Sequence, residues 1–324
     1  MKEFFKEKLS RRNFLGAATM LTTASVVPFI LSCGNTKTAS RGNMTPNSKF
    51  AGVQIGAITY SFRDLKGGIE TVLAACVEAG LSSVELMGAG VEEYLGAPRK
   101  PAGADKSAAG QYNRALSEWR REPGTLDKYA QLRKQFNDAG VQIHIYKWTA
   151  GDTEDELDYS FKAAKALGAI GISAELNEGN ARIMGPVAAR NGMFAILHNH
   201  YQFAEPGFDV DKLLAYSPTN RLNFDVGHYF GSTGLNPADF IRKYHDSIAS
   251  IHLKDKTAAD NIKQKNANQV WGQGETPLAE VLLLIRDEKW PIFCDIELEY
   301  KVAPWSTSVK EVKRCMEYSR QILI

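Results

Sequence analysis

The residues able to do polar chemistry stand at the ends of otherwise apolar, strand-like runs: Glu175, His198 with His200, Asp225 with His228, His252 with Lys254, and Asp295, Glu297 and Glu299. Residues two apart on a strand share a face, so His198 and His200 form one set, His252 and Lys254 another, and the three acids of DIELE a third. In LNFDVGHYF the spacing is three, which on a straight strand sends Asp225 and His228 to opposite faces. Gly227 between them predicts that the strand bends or ends there. A lone strand-end histidine or acid is usually a hydrogen-bonded structural residue or a helix cap. Several together are costly to bury without a partner, and a divalent cation is an economical partner for two Glu, one Asp and one His. Such a mixed oxygen and nitrogen set suits Mn²⁺, Mg²⁺, Co²⁺ or Zn²⁺.

The elements that must position these residues follow a regular beat from Ala51 onward. Apolar runs VQIGAITYSF, SSVELMG, VQIHIYKW, AIGISAEL, MFAILHNH, RLNFDVGHY, SIASIHLKD and PIFCDIELE alternate with helix-period segments, among them residues 68–79, TLDKYAQLRKQFNDAG, TEDELDYSFKAAKALG and STSVKEVKRCMEYSRQILI. Eight such units predict a (β/α)8 TIM barrel over 51–324, whose active site sits at the C-terminal ends of the strands. The polar residues accumulate at those ends. A doubly wound sheet is the competing architecture, but no GxGxxG follows the first run.

Composition narrows the class of partner. With 44% hydrophobic and 23% charged residues in 324, the chain has the makings of a well-buried core. A net charge of +2 from 39 basic and 37 acidic residues gives no footprint for nucleic acid, which leaves a small molecule. Residues 1–33 read as an export signal, with a basic start and an apolar run from Phe14 to Leu31. SRRNFLG resembles the twin-arginine motif, and ILSC resembles a lipobox that makes Cys33 the lipidated N-terminus. The expectation is a folded lipoprotein in the periplasm, held to the membrane only by its lipid, with 34–50 as a flexible tether. A homo-oligomer is allowed but not required. Cys76, Cys294 and Cys315 lie in apolar periodic segments and read as buried thiols, although export would permit a Cys294–Cys315 bridge.

The motifs ISAELN, ILHNH, FDVGH, SIHLKD and DIELE at successive strand ends resemble the xylose-isomerase-like sugar phosphate isomerase/epimerase superfamily, which includes the ketose 3-epimerases. The resemblance spans 51–324. It implies one divalent ion held by Glu175, Asp225, His252 and Glu297, with Glu175 and Glu297 also exchanging the proton and His228 reaching the sugar; His198, His200 and Lys254, at the neighbouring strand ends, are expected to face the sugar with it. The chain departs from the family in ELN, where Glu-Pro is usual, and DIELE leaves Glu297 and Glu299 as alternatives for the last ligand.

That resemblance implies an isomerase or epimerase acting by way of an enediolate, and the expected export, together with the lack of a Gly-rich phosphate cradle, makes an unphosphorylated sugar or glycoside the expected substrate. Deprotonation beside a leaving group would instead give a 3-keto-glycoside lyase or hydratase. A non-catalytic sugar-binding lipoprotein is the alternative outside enzymes, and it would not need opposed glutamates. Residues 97–124 and 256–276 interrupt the beat at the catalytic end and read as pocket-shaping loops. Trp271, Trp148 and Tyr146 are offered for sugar stacking.

Overall fold

The computed structural model describes residues 45–103 and 105–324. Cys33, the export segment and most of the expected tether lie outside these residues. The final residues of that tether do not: Ser48 is buried, its hydroxyl donates to the Ile55 carbonyl, and Lys49–Phe50 pairs antiparallel with Val53 and Gln54. Structured chain therefore begins ahead of Ala51.

The barrel is closed by strands β1 (Val53–Ile58), β2 (Ser83–Met87), β3 (Gln142–Lys147), β4 (Gly171–Glu175), β5 (Phe194–His198), β6 (Asn220–Asp225), β7 (Ile248–Leu253) and β8 (Phe293–Ile296). Each pairs parallel with its successor, and β8 returns to β1 through Cys294 opposite Ile55. Parallel strands need crossovers, and helices such as Ile69–Ala79, Glu154–Leu167 and Ser308–Leu323 supply them. Glu154–Leu167 starts on a capping box between Thr153 and Glu156 and stops at Gly168 in the left-handed conformation. The main apolar core lies between sheet and helices, with Ile55, Tyr129, Phe136, Phe161 and Phe224 fully buried. Cys76, Cys294 and Cys315 are buried free thiols, as expected from their apolar surroundings.

Two segments differ from their expected form. The stretch 97–124 contains a helix, Lys106–Arg121, capped by the Asp105 side chain on the Ala108 amide at 2.8 Å and anchored by buried Leu116 and Trp119. Its sparse apolar spacing hides among Pro, Gly and Ala, so the sequence reads as a loop. After β7, Asp255–Lys256 forms a small antiparallel ribbon with Asn268–Gln269. Among the described residues, no helix is long and apolar enough to cross a membrane.

The bend expected at Gly227 takes a different form. β6 ends at Asp225, whose Oδ1 accepts the His228 amide at 2.7 Å and thereby caps a helix, Val226–Thr233. Gly227 lies inside that helix, and its lack of a side chain makes room for Lys254: a Cβ there would stand 2.3 Å from Lys254 Cγ and 2.6 Å from the Lys254 carbonyl oxygen. Alanine would gain about 0.5–1 kcal/mol of helix propensity but would collide with backbone that cannot move freely. We expect Gly227→Ala to lose about 1–2 kcal/mol net, read by chemical denaturation. An unchanged unfolding free energy would show that β7 yields at this point.

Candidate active site

The polar residues of the strand ends occupy the barrel interior and its C-terminal mouth in two tiers. In the lower tier, hydrogen bonds join strands that are not neighbours in the sheet and so must cross the barrel. Asn223 of β6 donates to Glu85 of β2 at 2.8 Å, and His144 of β3 meets Asp295 of β8 at 2.8 Å. His252 of β7 lies between two carboxylates, with Nε2 at 2.6 Å from Glu85 Oε2 and Nδ1 at 3.0 Å from Glu297 Oε2. All of these side chains are buried.

Lys254 organises the upper tier. Its Nζ lies 2.9 Å from Asp225 Oδ2, 2.8 Å from Glu297 Oε2 and 2.7 Å from Glu299 Oε2, and it donates to His228 Nε2 at 2.9 Å. Glu297 and Glu299, alternatives in the sequence, thus both reach the same cation, but only Glu297 also bonds His252. On the opposite rim, half-exposed Glu175 pairs with Lys147 and with His200 Nδ1, each at 3.1 Å.

The electrostatics follow from this packing. Burial opposes charging of His252, but Glu85 and Glu297 outweigh it and raise the imidazole to about 10. Burial lifts Asp225 to about 6, Lys254 pulling it down and Glu297 pushing it up. Burial would also raise Glu175, yet His200 and Lys147 hold it down at about 2. Glu297 stays well below the usual carboxylate range despite its burial, because Lys254 and His252 favour its charged form. His198 is driven well down by burial and by the nearby charge of His252 and Lys147.

A divalent ion finds a suitable donor set here. His198, Asp225, His252 and Glu297 each offer a ligand atom within 4.8 Å of the others, all four are buried, and His198 Nδ1 has no hydrogen-bond partner. Glu85 holds Nε2 of His252, so Nδ1 is the nitrogen on the Glu297 side, an arrangement in which a carboxylate orients a metal-ligating histidine. Three of the four expected ligands come together. Glu175 does not join that group in this structure, and His198, expected to face the substrate, does.

Of the other expected sugar-facing residues, His200 and His228 are at the mouth, their rings 4.9 Å apart, while Lys254 sits among the carboxylates. Trp271 is buried with its ring against Tyr318 of the last helix, which removes it as a stacking surface. Tyr146 is fully buried, and Trp148 packs on it and beneath Arg120. The aromatic that the sequence reading missed is Tyr201, which is 51% exposed with its ring 5.0 Å from His228. Glu85, Lys147, Asn223 and Lys256 were missed too. Glu85 in SSVELMG carried one usable signal, a lone acid on an apolar strand.

Comparison with known proteins agrees with this architecture. No family model matches the chain. A sugar phosphate isomerase/epimerase from Parabacteroides distasonis superposes with a TM-score of 0.53 at 17% identity, covering 86% of this chain and 98% of that one. A xylose isomerase domain protein from Alicyclobacillus acidocaldarius gives 0.58 at 14%, covering 83% and 99%. The fold is a xylose isomerase-like TIM barrel. A probable 3-DHS dehydratase from Bacillus anthracis shares it, with a TM-score of 0.56 at 14% identity over 82% of this chain and 98% of its own. In sequence, the chain is 36% identical over 86 residues to an inosose dehydratase of Clostridium botulinum (strain Alaska E43 / Type E3), a match spanning 26% of this chain and only 28% of that relative. A second inosose dehydratase, from strain Eklund 17B / Type B, is 34% identical over the same length.

The His252 shift fixes a pH dependence for chelator-treated protein. Its folded pKa of about 10 lies above the ordinary 6.5, so the stabilisation is complete below pH 6.5 and is lost as pH rises toward 10. We expect the melting temperature to fall across that window by at least about 2–4 °C, the shift made by 1 kcal/mol in a domain of this size. The fall should flatten in His252→Gln. An equal fall in the variant would assign it to other groups.

Proposed function

We propose that this chain is an enzyme that moves a proton on a carbon next to a carbonyl of an unphosphorylated sugar or glycoside, with one divalent ion, Mn²⁺, Co²⁺, Mg²⁺ or Zn²⁺, as cofactor. The observation that carries the reading is the buried His198, Asp225, His252 and Glu297 group beside the ionised, half-exposed Glu175. Asp225, His252 and Glu297 would hold the ion, and either His198 or Glu175 would complete the set. When bound, the ion supplies a Lewis acid that lowers the cost of removing a proton beside the carbonyl.

The chain's own residues do the rest. Glu175, ionised at neutral pH, takes the proton on an Oε atom, and Lys147 and His200 fix the direction in which that carboxylate points. Glu297, ionised in the free protein, would take up a proton before delivering one as its counterpart across the mouth, and His228 Nδ1, which has no partner, offers a hydrogen bond to a substrate oxygen. Return of the proton to the opposite face is epimerisation, and its delivery to the neighbouring carbon is isomerisation. Loss of a β-substituent is the second reading, favoured by the sequence match to two inosose dehydratases and open to 3-keto-glycosides as well.

Incubation of sugars and 3-keto-glycosides with metal-loaded protein in D₂O tests the proposal by NMR. We expect deuterium beside a carbonyl, with an added alkene or enol product if elimination is the outcome. Glu175→Gln and Glu297→Gln should each slow exchange by about 10²–10⁴-fold with the fold retained. Exchange at the wild-type rate in both variants would overturn the assignment. Metal titration of His198→Ala beside Glu175→Gln decides which completes the ligand set.

The leader adds a proposed location, outside the cytoplasm on a lipid anchor at Cys33, where phosphorylated sugars are scarce. Labelled palmitate should enter the wild-type chain and fail to enter Cys33→Ala. Label in the variant would end the lipoprotein reading.

A further inference from the structure

Lys256 lies just past the site, in the ribbon after β7, and it is 2% exposed. Its neighbours in the mouth are matched: Lys147 has Glu175, and Lys254 has Asp225, Glu297 and Glu299. Among the described residues, no carboxylate oxygen comes within 4.0 Å of Lys256 Nζ, and the group facing it is the ring of Tyr201, 5.9 Å away. An ammonium held among protein groups without a direct ion pair is under-compensated, and a ring at that distance offsets little of it. Burial and the neighbouring Lys254 press its amine below the usual lysine range, against the pull of Asp225, Glu299 and Glu297, which lie beyond ion-pair distance.

Two further polar atoms beside it are unsatisfied. Lys254, which has only hydrogens to offer, donates to His228 Nε2, so the proton of that imidazole resides on Nδ1. Nδ1 is buried and has no acceptor. Asn266 Oδ1 is likewise buried without a donor, on a residue held at φ +50°. Gly231 lets Lys256 and Asn266 approach each other: a Cβ there would lie 3.0 Å from Lys256 Cε and 2.3 Å from Asn266 Oδ1, while the Tyr201 ring borders both Lys256 and His228. Lys256, His228 and Asn266 thus offer an ammonium and an imidazole N–H as donors and an amide oxygen as acceptor, next to the exposed ring of Tyr201.

We infer that Lys256, with His228 Nδ1 and Asn266 Oδ1, forms a subsite for the carboxylate and adjacent hydroxyl of a sugar acid. An oxyanion gives a charge-assisted bond that a neutral hydroxyl does not, and it supplies the counter-charge that this lysine lacks. A carboxylate fits a single ammonium, whereas a phosphate calls for more donors than these three residues carry. The inference deepens the function proposed above and rests on it only in taking the barrel mouth as the substrate site.

Calorimetric binding to the native metal-loaded protein tests it without turnover, on a panel pairing hexuronates with their parent hexoses and with the hexose 6-phosphates. We expect at least one uronate to bind tenfold or more above its hexose. In Lys256→Met that preference should vanish, hexose affinity should hold within twofold, and the melting temperature should not fall, because removing an unpaired buried charge is neutral or stabilising. No uronate preference in any pair, a preference that survives in Lys256→Met, or a phosphate that outbinds the uronate would each overturn the subsite. A lower melting temperature in Lys256→Met would do so as well, since it would mean that the lysine already has its partner. Failure of deuterium exchange would count against the proposed reaction and leave this binding result standing.

Discussion

The arrangement depends on compensating negative charge inside a closed barrel. Glu85, Asp225 and Glu297 are all buried, and none could remain ionised there alone. Two cations solve the problem from different depths. His252 lies between Glu85 and Glu297, and Lys254 reaches Asp225, Glu297 and the more exposed Glu299 from above. Glu297 belongs to both sets, an imidazole and an ammonium meeting at its Oε2. The rim pair of Glu175 and Lys147 is looser, with the Glu175 carboxylate half exposed where the lower tier is sealed.

Much of this was legible in the sequence, for a physical reason. A barrel collects strand ends at one face, so chemistry-bearing residues that recur at the end of each apolar run have to converge. Asp225, His252 and Glu297 did so. What escaped was whatever depends on the far side of the barrel. Glu85 sits in the middle of β2, and only its bonds to Asn223 and His252, from strands across the interior, show that it belongs to the site. Lys256 escaped because nothing local distinguishes a buried lysine from a surface one. Trp271 was misjudged for the converse reason. A tryptophan in a loop at the catalytic end looks available, and its packing against Tyr318 of the final helix is a long-range contact. The Lys106–Arg121 helix was hidden by its polarity, since only Leu116 and Trp119 are buried.

Gly227 illustrates how local and distant constraints trade places. The sequence suggested a glycine that lets a strand bend. In the fold, the turn is made by Asp225 as a helix cap, and the glycine is required by Lys254, which passes where a side chain would be. The same residue that caps the helix through Oδ1 presents Oδ2 to the ammonium, so a single carboxylate ends the strand, starts the helix and faces the site.

This dual use bears on why the interior is polar at all. Replacing buried ion pairs with apolar side chains of similar volume is often neutral or stabilising, so a barrel selected for stability alone would fill the space around β2, β6 and β7 with branched aliphatics. Glu85, Asn223 and His252 instead form a bonded chain that ends at Glu297, and removing any one partner would leave another buried and unmatched. Such a network adds little net stability but leaves each member one orientation. Its uppermost member, Glu297, is the one that opens toward the mouth. The cost of the lower tier is therefore intelligible as the cost of holding His252 Nδ1 and Glu297 in register with Asp225, a geometry compatible with a divalent ion and one that a purely structural core does not need.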